Sequence, residues 1–242
     1  MNAIGQNWSA TAARIAAASR RAGRDPASVR VVAVSKTHPP DAVRAAWDCG
    51  LTVFGENRVQ EAQAKIPLCP SSATWHLVGH LQTNKARPAA RLFDLIHSVD
   101  SLKLLAALDE AAAPAGRVLP VCLEINVAGE GAKFGLAPDM LEPVLRAAGN
   151  LRRVEIVGLM CIPPPAPDPE QVRPYFRRLR ELRDAARAAT GYALPELSMG
   201  MSRDFEVAVE EGATWLRLGT VLFGPRASAF RPGTMPDAGE TI

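Results

Sequence analysis

The chain has 242 residues, of which 48% are hydrophobic and 22% are charged, which excludes a disordered, collagenous or coiled-coil protein. The net charge of +3, from 28 basic and 25 acidic residues, is too small to indicate a nucleic-acid-binding surface and only weakly suggests anionic partners. No stretch approaches the roughly 20 apolar residues of a membrane helix. Residues 1–25 lack the basic start and continuous apolar core of a signal peptide, and we expect them to form an amphipathic helix. These features predict a cytoplasmic protein without nucleic-acid or membrane partners.

The elements predicted along the chain alternate between short apolar strands and helices rich in alanine, leucine, arginine and glutamate. The predicted strands are residues 29–34, 51–54, 75–78, 95–99, 118–127, 154–161, 196–199 and 215–218. The predicted helices between them are residues 40–49, 58–65, 85–92, 102–112, 138–148, 169–189 and 202–211.

About eight strand–helix units close a (β/α)₈ barrel, which typically has about 250 residues, so we predict a single TIM-barrel domain over residues 1–230. We expect residues 231–242 to be a disordered tail. An open doubly wound sheet is the alternative, but the glycine-rich turn that usually follows its first strand is missing after Val34.

The cysteines predict reduced thiols, because no two of them form a CxxC pair; they are Cys49, Cys69, Cys122 and Cys161. We expect free thiols in a reducing cytosol and no zinc site or disulfide framework. No HExxH motif or acidic cluster indicates a metal.

Lys36 directly follows the first predicted strand, and barrel chemistry takes place where strands end. Partial burial lowers the pKa of a lysine ammonium, and the neutral amine can attack an aldehyde to form a Schiff base. The alternative is a lysine that extends from a strand end into solvent.

Small and hydroxyl residues follow the seventh and eighth strands, and these are the loops where barrels commonly bind phosphate. The residues are Ser198, Gly200, Ser202, Gly219 and Thr220. Ser202 could instead be a simple N-cap of the helix predicted at 202–211. A phosphate site opposite an aldehyde-binding lysine predicts a phosphorylated aldehyde as the ligand.

Arg217 is predicted to point into the barrel if Leu216 and Leu218 face the helices. A buried guanidinium must be paired or face a ligand, and Glu124 and Glu196 are the candidate ion-pair partners. His80 follows the third strand and could be an acid/base group, although a hydrogen-bonded role is more common. We expect His76 and His97 to face the core or an adjacent strand.

Much of the chain, from about residue 29 to 226, resembles the YggS/PROSC family of pyridoxal 5′-phosphate (PLP) homeostasis proteins. The resemblance is carried by VAVSKTHPPDAVRAAWDCGLTVFGENRVQEAQAK, WHLVGHLQTNKAR, IHSVDSL, LEINVAGEGAKFGL, VGLMCIPP and LSMGMSRDFEVAVEEGATWLRLGTVLFGPR, in the expected order. It implies a single barrel similar to the N-terminal domain of alanine racemase, the fold-type III scaffold for PLP.

By that resemblance, Lys36 is the Schiff-base lysine and Arg217 faces the pyridine nitrogen. The resemblance also assigns the phosphate cup to Ser198, Ser202, Gly219 and Thr220, and places Asn57 beside the cofactor. Two positions at the mouth depart from the family pattern, namely Arg58 after GEN and His80 where many members have proline.

The resemblance leaves two functions open, a PLP-binding homeostasis protein and a fold-type III racemase or lyase. An arginine at the pyridine nitrogen keeps that nitrogen unprotonated, which disfavours carbanion chemistry. A racemase also needs a second base, supplied in alanine racemase by a tyrosine of an additional domain for which we expect no room here. We expect Tyr175 and Tyr192 to lie away from the mouth. These points favour a carrier, a monomer or weak dimer, that passes PLP to apo-enzymes. An aldolase that uses Lys36 without a cofactor is disfavoured by the predicted cup and by Arg217.

Overall fold

The computed structural model describes residues 2–131 and 134–225 of the chain. Its parallel strands form a closed eight-stranded barrel in which neighbours follow chain order and the last strand pairs with the first. The strands are β1 Arg30–Val34, β2 Val53–Glu56, β3 Thr74–Leu77, β4 Leu95–Val99, β5 Leu119–Glu124, β6 Val154–Met160, β7 Glu196–Ser198 and β8 Trp215–Leu218. The predicted TIM barrel is confirmed, and the open sheet is excluded.

Helices surround the barrel, and one further helix precedes it. They are α1 Ala3–Arg21, α2 Pro40–Trp47, α3 Val59–Lys65, α4 Ala86–Leu92, α5 Leu102–Ala112, α6 Leu141–Ala147, α7 Arg173–Thr190, α8 Phe205–Glu210 and α9 Thr220–Phe223. The predicted N-terminal helix corresponds to α1, which Asn2 caps by accepting a hydrogen bond from the Gly5 N–H at 2.8 Å. The Asn7 amide of α1 donates to the Leu222 carbonyl of α9 at 2.9 Å, so both ends of the barrel sequence meet.

Element boundaries differ from the sequence predictions mainly at helix starts and strand ends. The helix predicted at 202–211 begins three residues later, at Phe205, and α9 was not predicted. The helices predicted from residues 138 and 169 each begin with a short 3₁₀ turn. The predicted disordered tail, residues 231–242, lies outside the described residues.

Apolar side chains fill both the space beneath the helices and the barrel interior. On β1, Ala33 belongs to the large core cluster outside the barrel, whereas Val32 and Val34 pack inside it with Val78 and Trp215. This alternation is the period of two expected for a strand. These four residues pack as one apolar cluster inside the barrel, and the buried polar side chains of His76, His97, Ser198 and Arg217 share the interior with them.

The pairing of β8 with β1 brings two chain segments together at that end of the barrel. Ala33 lies opposite Leu218 in this register. A Cβ atom at Gly219 would lie 3.3 Å from the Val34 carbonyl oxygen, so the segments that follow β1 and β8 are in close contact. The segment that carries Lys36 and the segment that carries Gly219 and Thr220 are thus neighbours.

Candidate functional site

Lys36 lies in a tight turn immediately after β1. The His38 N–H donates to the Ser35 carbonyl at 3.0 Å, so Lys36 and Thr37 are the two central residues of a four-residue turn. Thr37 has a φ of +67°, a value that such turns usually assign to glycine or asparagine. For a β-branched residue this backbone conformation costs about 1–3 kcal/mol and persists only when the surroundings impose it.

A buried lysine on α3 fixes one side of this turn. The Lys65 ammonium group is fully buried and donates to the Ser35 carbonyl at 2.8 Å, to Glu56 Oε1 at 2.7 Å and to Glu61 Oε1 at 2.9 Å. The Ser35 hydroxyl also donates to Glu56 Oε1, at 2.7 Å. Burial raises the pKa of Glu56 to about 7, although the neighbouring Lys65 acts in the opposite direction.

Glu61 fixes the other side of the turn. Its Oε1 accepts a hydrogen bond of 2.5 Å from the Thr37 N–H and contacts Lys65 as well. Sequence analysis did not identify Glu56, Glu61 and Lys65 as site residues. The sequence did contain a signal for them. Glu61 and Lys65 lie four residues apart on α3, which follows a strand that ends in Glu56.

Arg217 points into the barrel, as predicted, and is almost completely buried. Its Nη1 donates to Ser198 Oγ at 2.6 Å and its Nη2 donates to the Cys161 carbonyl at 2.8 Å. Among the described residues no carboxylate forms an ion pair with it, and Glu196 pairs instead with Arg30. The predicted ion-pair alternative is therefore wrong. Burial lowers the pKa of Arg217, but a guanidinium remains protonated at neutral pH.

A chain of hydrogen bonds extends from Arg217 across the barrel interior. Ser198 Oγ lies 2.7 Å from His97 Nδ1, and His97 Nε2 lies 3.0 Å from His76 Nδ1. Burial lowers the pKa of His76 to about 3 and that of His97 well below its usual value, so both rings are neutral. Because arginine can only donate, the Ser198 hydroxyl accepts from Arg217, and the direction of its bond with His97 follows from the tautomer of that ring.

The residues after β7 and β8 form a cradle of backbone N–H groups and hydroxyls. Ser202 Oγ accepts hydrogen bonds from the Gly219 N–H at 3.3 Å and from the Val221 N–H at 3.2 Å. The prediction that Ser202 caps the next helix is wrong, because Asp204 holds the N-cap position of α8. Thr220 is exposed at the first position of α9.

Two glycines allow the cradle to form. Gly200 has a φ of +92°, and a Cβ atom there would lie 2.5 Å from the Ala208 Cβ, so only glycine fits. Gly219 is the residue that contacts Val34, as described for the β8–β1 pair. The cradle therefore contains Ser202, Gly219 and Thr220, whereas Ser198 lies below it on Arg217.

The remaining predicted residues line other parts of the mouth. Asn57 is half-buried after β2, and its carbonyl oxygen lies so close to Gly79 that a Cβ there would approach to 2.4 Å. Arg58 is exposed at the N-cap of α3. His80 Nδ1 lies 3.2 Å from Asp100 Oδ2, and the His80 ring stacks on the Phe134 ring with 3.6 Å between the ring centroids.

The described residues contain no group of three or more His, Cys, Asp or Glu side chains able to hold a metal ion. No helix within residues 2–131 and 134–225 is long and apolar enough to cross a membrane. All four cysteines are free thiols, as predicted.

Comparisons with known proteins agree with this fold. The family model "Alanine racemase, N-terminal domain" matches residues 7–227. The pyridoxal phosphate homeostasis protein of Aquifex aeolicus is 47% identical over 88% of this chain and 94% of its own length. The homeostasis protein of Pseudomonas aeruginosa is 46% identical over 93% of this chain and 97% of its own.

Solved structures add two points of comparison. PipY of Synechococcus elongatus, whose structure has been determined with PLP bound, is 43% identical over 88% of this chain and 99% of its own, with a TM-score of 0.77. Alanine racemase of Corynebacterium glutamicum is 18% identical over 97% of this chain and 64% of its own, with a TM-score of 0.66, and therefore shares the fold alone. The fold and site define a barrel of the alanine racemase N-terminal domain class. Within that class, the chain belongs to the family of pyridoxal phosphate homeostasis proteins.

Glu124, at the end of β5, gives a pH-dependent prediction for the ligand-free protein. Burial raises its pKa to about 7, against the opposing effect of Arg217. Between pH 7 and its ordinary value of 4.5, folded Glu124 holds a proton that the unfolded chain releases, so it increases stability as the pH falls. In Glu124→Gln this gain is lost. The free energy of unfolding of the variant should fall relative to wild type by up to about 1.4 kcal/mol per pH unit across this range.

Urea unfolding at several pH values measures this difference, and the buried histidines contribute equally to both proteins. Glu110→Gln, an exposed change on α5, is the control and should follow the wild type. Parallel curves for Glu124→Gln and wild type would contradict the assignment of a raised pKa.

Proposed function

We propose that this protein binds PLP at the carboxyl ends of its barrel strands, holds it as a Schiff base on Lys36, and acts as an intracellular carrier of PLP. The observation that carries the proposal is the contact between the segments after β1 and β8. It brings the turn of Lys36 beside the cradle of Ser202, Gly219 and Thr220. The homeostasis proteins of Aquifex and Pseudomonas and the PLP-bound structure of PipY support it.

The donor set of the cradle fits a phosphate group. Ser202 accepts from two backbone N–H groups and so retains its own hydroxyl proton to donate to an anion. The Thr220 hydroxyl is exposed beside it. We therefore assign the anionic oxygens to the hydroxyls of Ser202 and Thr220, and the two N–H groups orient Ser202.

Lys36 and Arg217 fit the other two polar parts of PLP. The bound cofactor supplies an aldehyde that condenses with a lysine amine, releasing water. The Lys36 turn offers that amine at the mouth. We assign to Arg217 the pyridine nitrogen, toward which a donor-only guanidinium supplies a hydrogen bond and cannot supply a labile proton. Asn57 completes the assigned contacts, and Ser198 contributes indirectly, by orienting Arg217.

We favour a carrier role because of the way in which Arg217 is held. Its hydrogen bonds to Ser198 and to the Cys161 carbonyl fix a guanidinium that would leave the ring nitrogen unprotonated, which weakens the electron withdrawal that carbanion chemistry needs. The recipients we propose are PLP-dependent apo-enzymes. Four free thiols suit a reducing compartment, and we place the carrier in the cytoplasm.

Replacement of Lys36 by alanine should abolish covalent binding of PLP. The wild type should show visible absorption with PLP and, after borohydride reduction, a pyridoxyl adduct on Lys36 by peptide mass spectrometry. Lys36→Ala should lose both signals, whereas Lys103→Ala, an exposed change on α5, should keep them. An adduct found mainly on another lysine would overturn the assignment.

Replacement of Ser202 by alanine should weaken PLP more than pyridoxal, because pyridoxal lacks the phosphate. Hydrogen bonds to charged groups contribute about 1.5–3 kcal/mol, so we expect roughly a 10- to 150-fold loss of PLP affinity. Titration of both ligands against Ser202→Ala measures the difference, with exposed Ser71→Ala as the control. Equal losses for the two ligands would place the phosphate elsewhere.

The Arg217 assignment separates a carrier from an enzyme. The PLP-loaded wild type should not racemise or cleave amino acids faster than PLP alone. Arg217→Glu places a carboxylate that favours a protonated ring nitrogen, so this variant, where it still binds PLP, should slowly form pyridoxamine phosphate with alanine. Arg203→Glu, an exposed change near the mouth, should remain inactive. Rapid turnover by the wild type would favour the racemase or lyase alternative.

A further inference from the structure

We propose that Glu61 and Lys65 are positioning residues for Lys36, and that they set the affinity for the aldehyde of PLP without contributing to phosphate binding. They act on the backbone of the turn that carries Lys36. This inference rests on the proposed function, because it concerns the same lysine.

The first argument is the location of their contacts. Lys65 donates to the carbonyl of Ser35, and Glu61 accepts from the N–H of Thr37, so the two side chains hold the residues immediately before and after Lys36. Lys65 and Glu61 are themselves joined at 2.9 Å. The ion pair of Glu61 and Lys65 on α3 therefore fixes the backbone on both sides of Lys36.

The second argument is that the turn would not keep this conformation unaided. Thr37 has a φ of +67°, and a β-branched residue leaves that region unless its neighbours prevent it. The hydrogen bond from its N–H to Glu61 opposes this relaxation. A relaxed turn would redirect the side chain of Lys36, since the backbone of both central residues sets its direction.

The third argument is the full pairing of the Lys65 ammonium group. An ammonium group has three N–H donors, and the three acceptors lie on the turn, at the end of β2 and on α3. A charged lysine with no exposed surface is tolerated only with such full pairing. The network therefore ties the turn rigidly to two elements of the barrel.

The network and the cradle are built from separate residues. Ser202 of the cradle bonds to Gly219 and Val221, whereas the bonds of Glu61 and Lys65 described above go to Ser35, Glu56 and Thr37 and to each other, so the two sets of bonds share no residue. Loss of the network should thus affect the amine and spare the phosphate. A general structural defect would affect both.

The experiment compares PLP with pyridoxine 5′-phosphate, which has an alcohol where PLP has the aldehyde and cannot react with lysine. Glu61→Ala removes the acceptor for Thr37, and Glu61→Gln retains an oxygen at the same place. Glu61→Ala should lose at least tenfold in PLP affinity, about the effect of one charge-assisted hydrogen bond, and change less than about twofold for pyridoxine 5′-phosphate. Glu61→Gln should recover most of the PLP affinity.

The matched control is Glu142→Ala, which breaks an exposed ion pair of the same spacing, Glu142 with Arg146 on α6. It should bind both ligands as the wild type does. Equal losses of PLP and pyridoxine 5′-phosphate in Glu61→Ala, or no loss of either, would overturn the positioning role.

A second variant keeps the inference testable where Glu61→Ala does not fold. Thr37→Gly combined with Glu61→Ala relieves the strain at this position, because glycine adopts a positive φ without the bond to Glu61, so the double variant should fold and bind PLP within about fivefold of the wild type, with pyridoxine 5′-phosphate unchanged. A double variant that folds but has lost tenfold or more in PLP affinity would overturn the inference. Failure of the proposed function is a separate result, in which the wild type itself forms no borohydride-stable adduct on Lys36.

Discussion

The site depends on closure of the barrel by the pairing of β8 with β1. Only this pairing brings the first and last strands, some 180 residues apart along the chain (Ala33 opposite Leu218), into one register. Gly219 then lies against the Val34 carbonyl, and a Cβ atom at this position would lie 3.3 Å from the carbonyl oxygen, which is a tight contact. The lysine turn and the anion cradle exist separately as local structures, but their proximity is a property of the closed sheet.

Closure also places charged groups in a low-dielectric interior, and each is stabilised differently. Lys65 forms ion pairs with Glu56 and Glu61, whereas the hydrogen bonds of Arg217 go to a hydroxyl and a carbonyl, and the charge of Glu124 acts on it without forming an ion pair. A buried cation without an ion-pair partner is costly unless a ligand shares its hydrogen bonds. We therefore propose Lys65 as part of the support of the site and Arg217 as a contact of the ligand.

Sequence patterns predicted the barrel and most of its elements because strand and helix periods are local signals. They also predicted Lys36, Ser202 and Arg217 as site residues, because these residues lie within or shortly after recognisable strands. They did not predict that Ser198 turns toward Arg217 or that Ser202 bonds to the chain after β8. Those contacts join residues 17 to 19 positions apart through a tertiary fold, and no periodicity encodes them.

The features that contradict local sequence rules are informative for that reason. A threonine at positive φ, a lysine with no exposed surface and an arginine inside a barrel each cost free energy in isolation. Two of them belong to the turn that carries Lys36. Thr37 is part of this turn and donates to Glu61, and Lys65 donates to the Ser35 carbonyl at its start. Local rules are usually violated where function requires it. The convergence of Thr37 and Lys65 on the turn of Lys36 supports the proposed site on physical grounds that are independent of any relative.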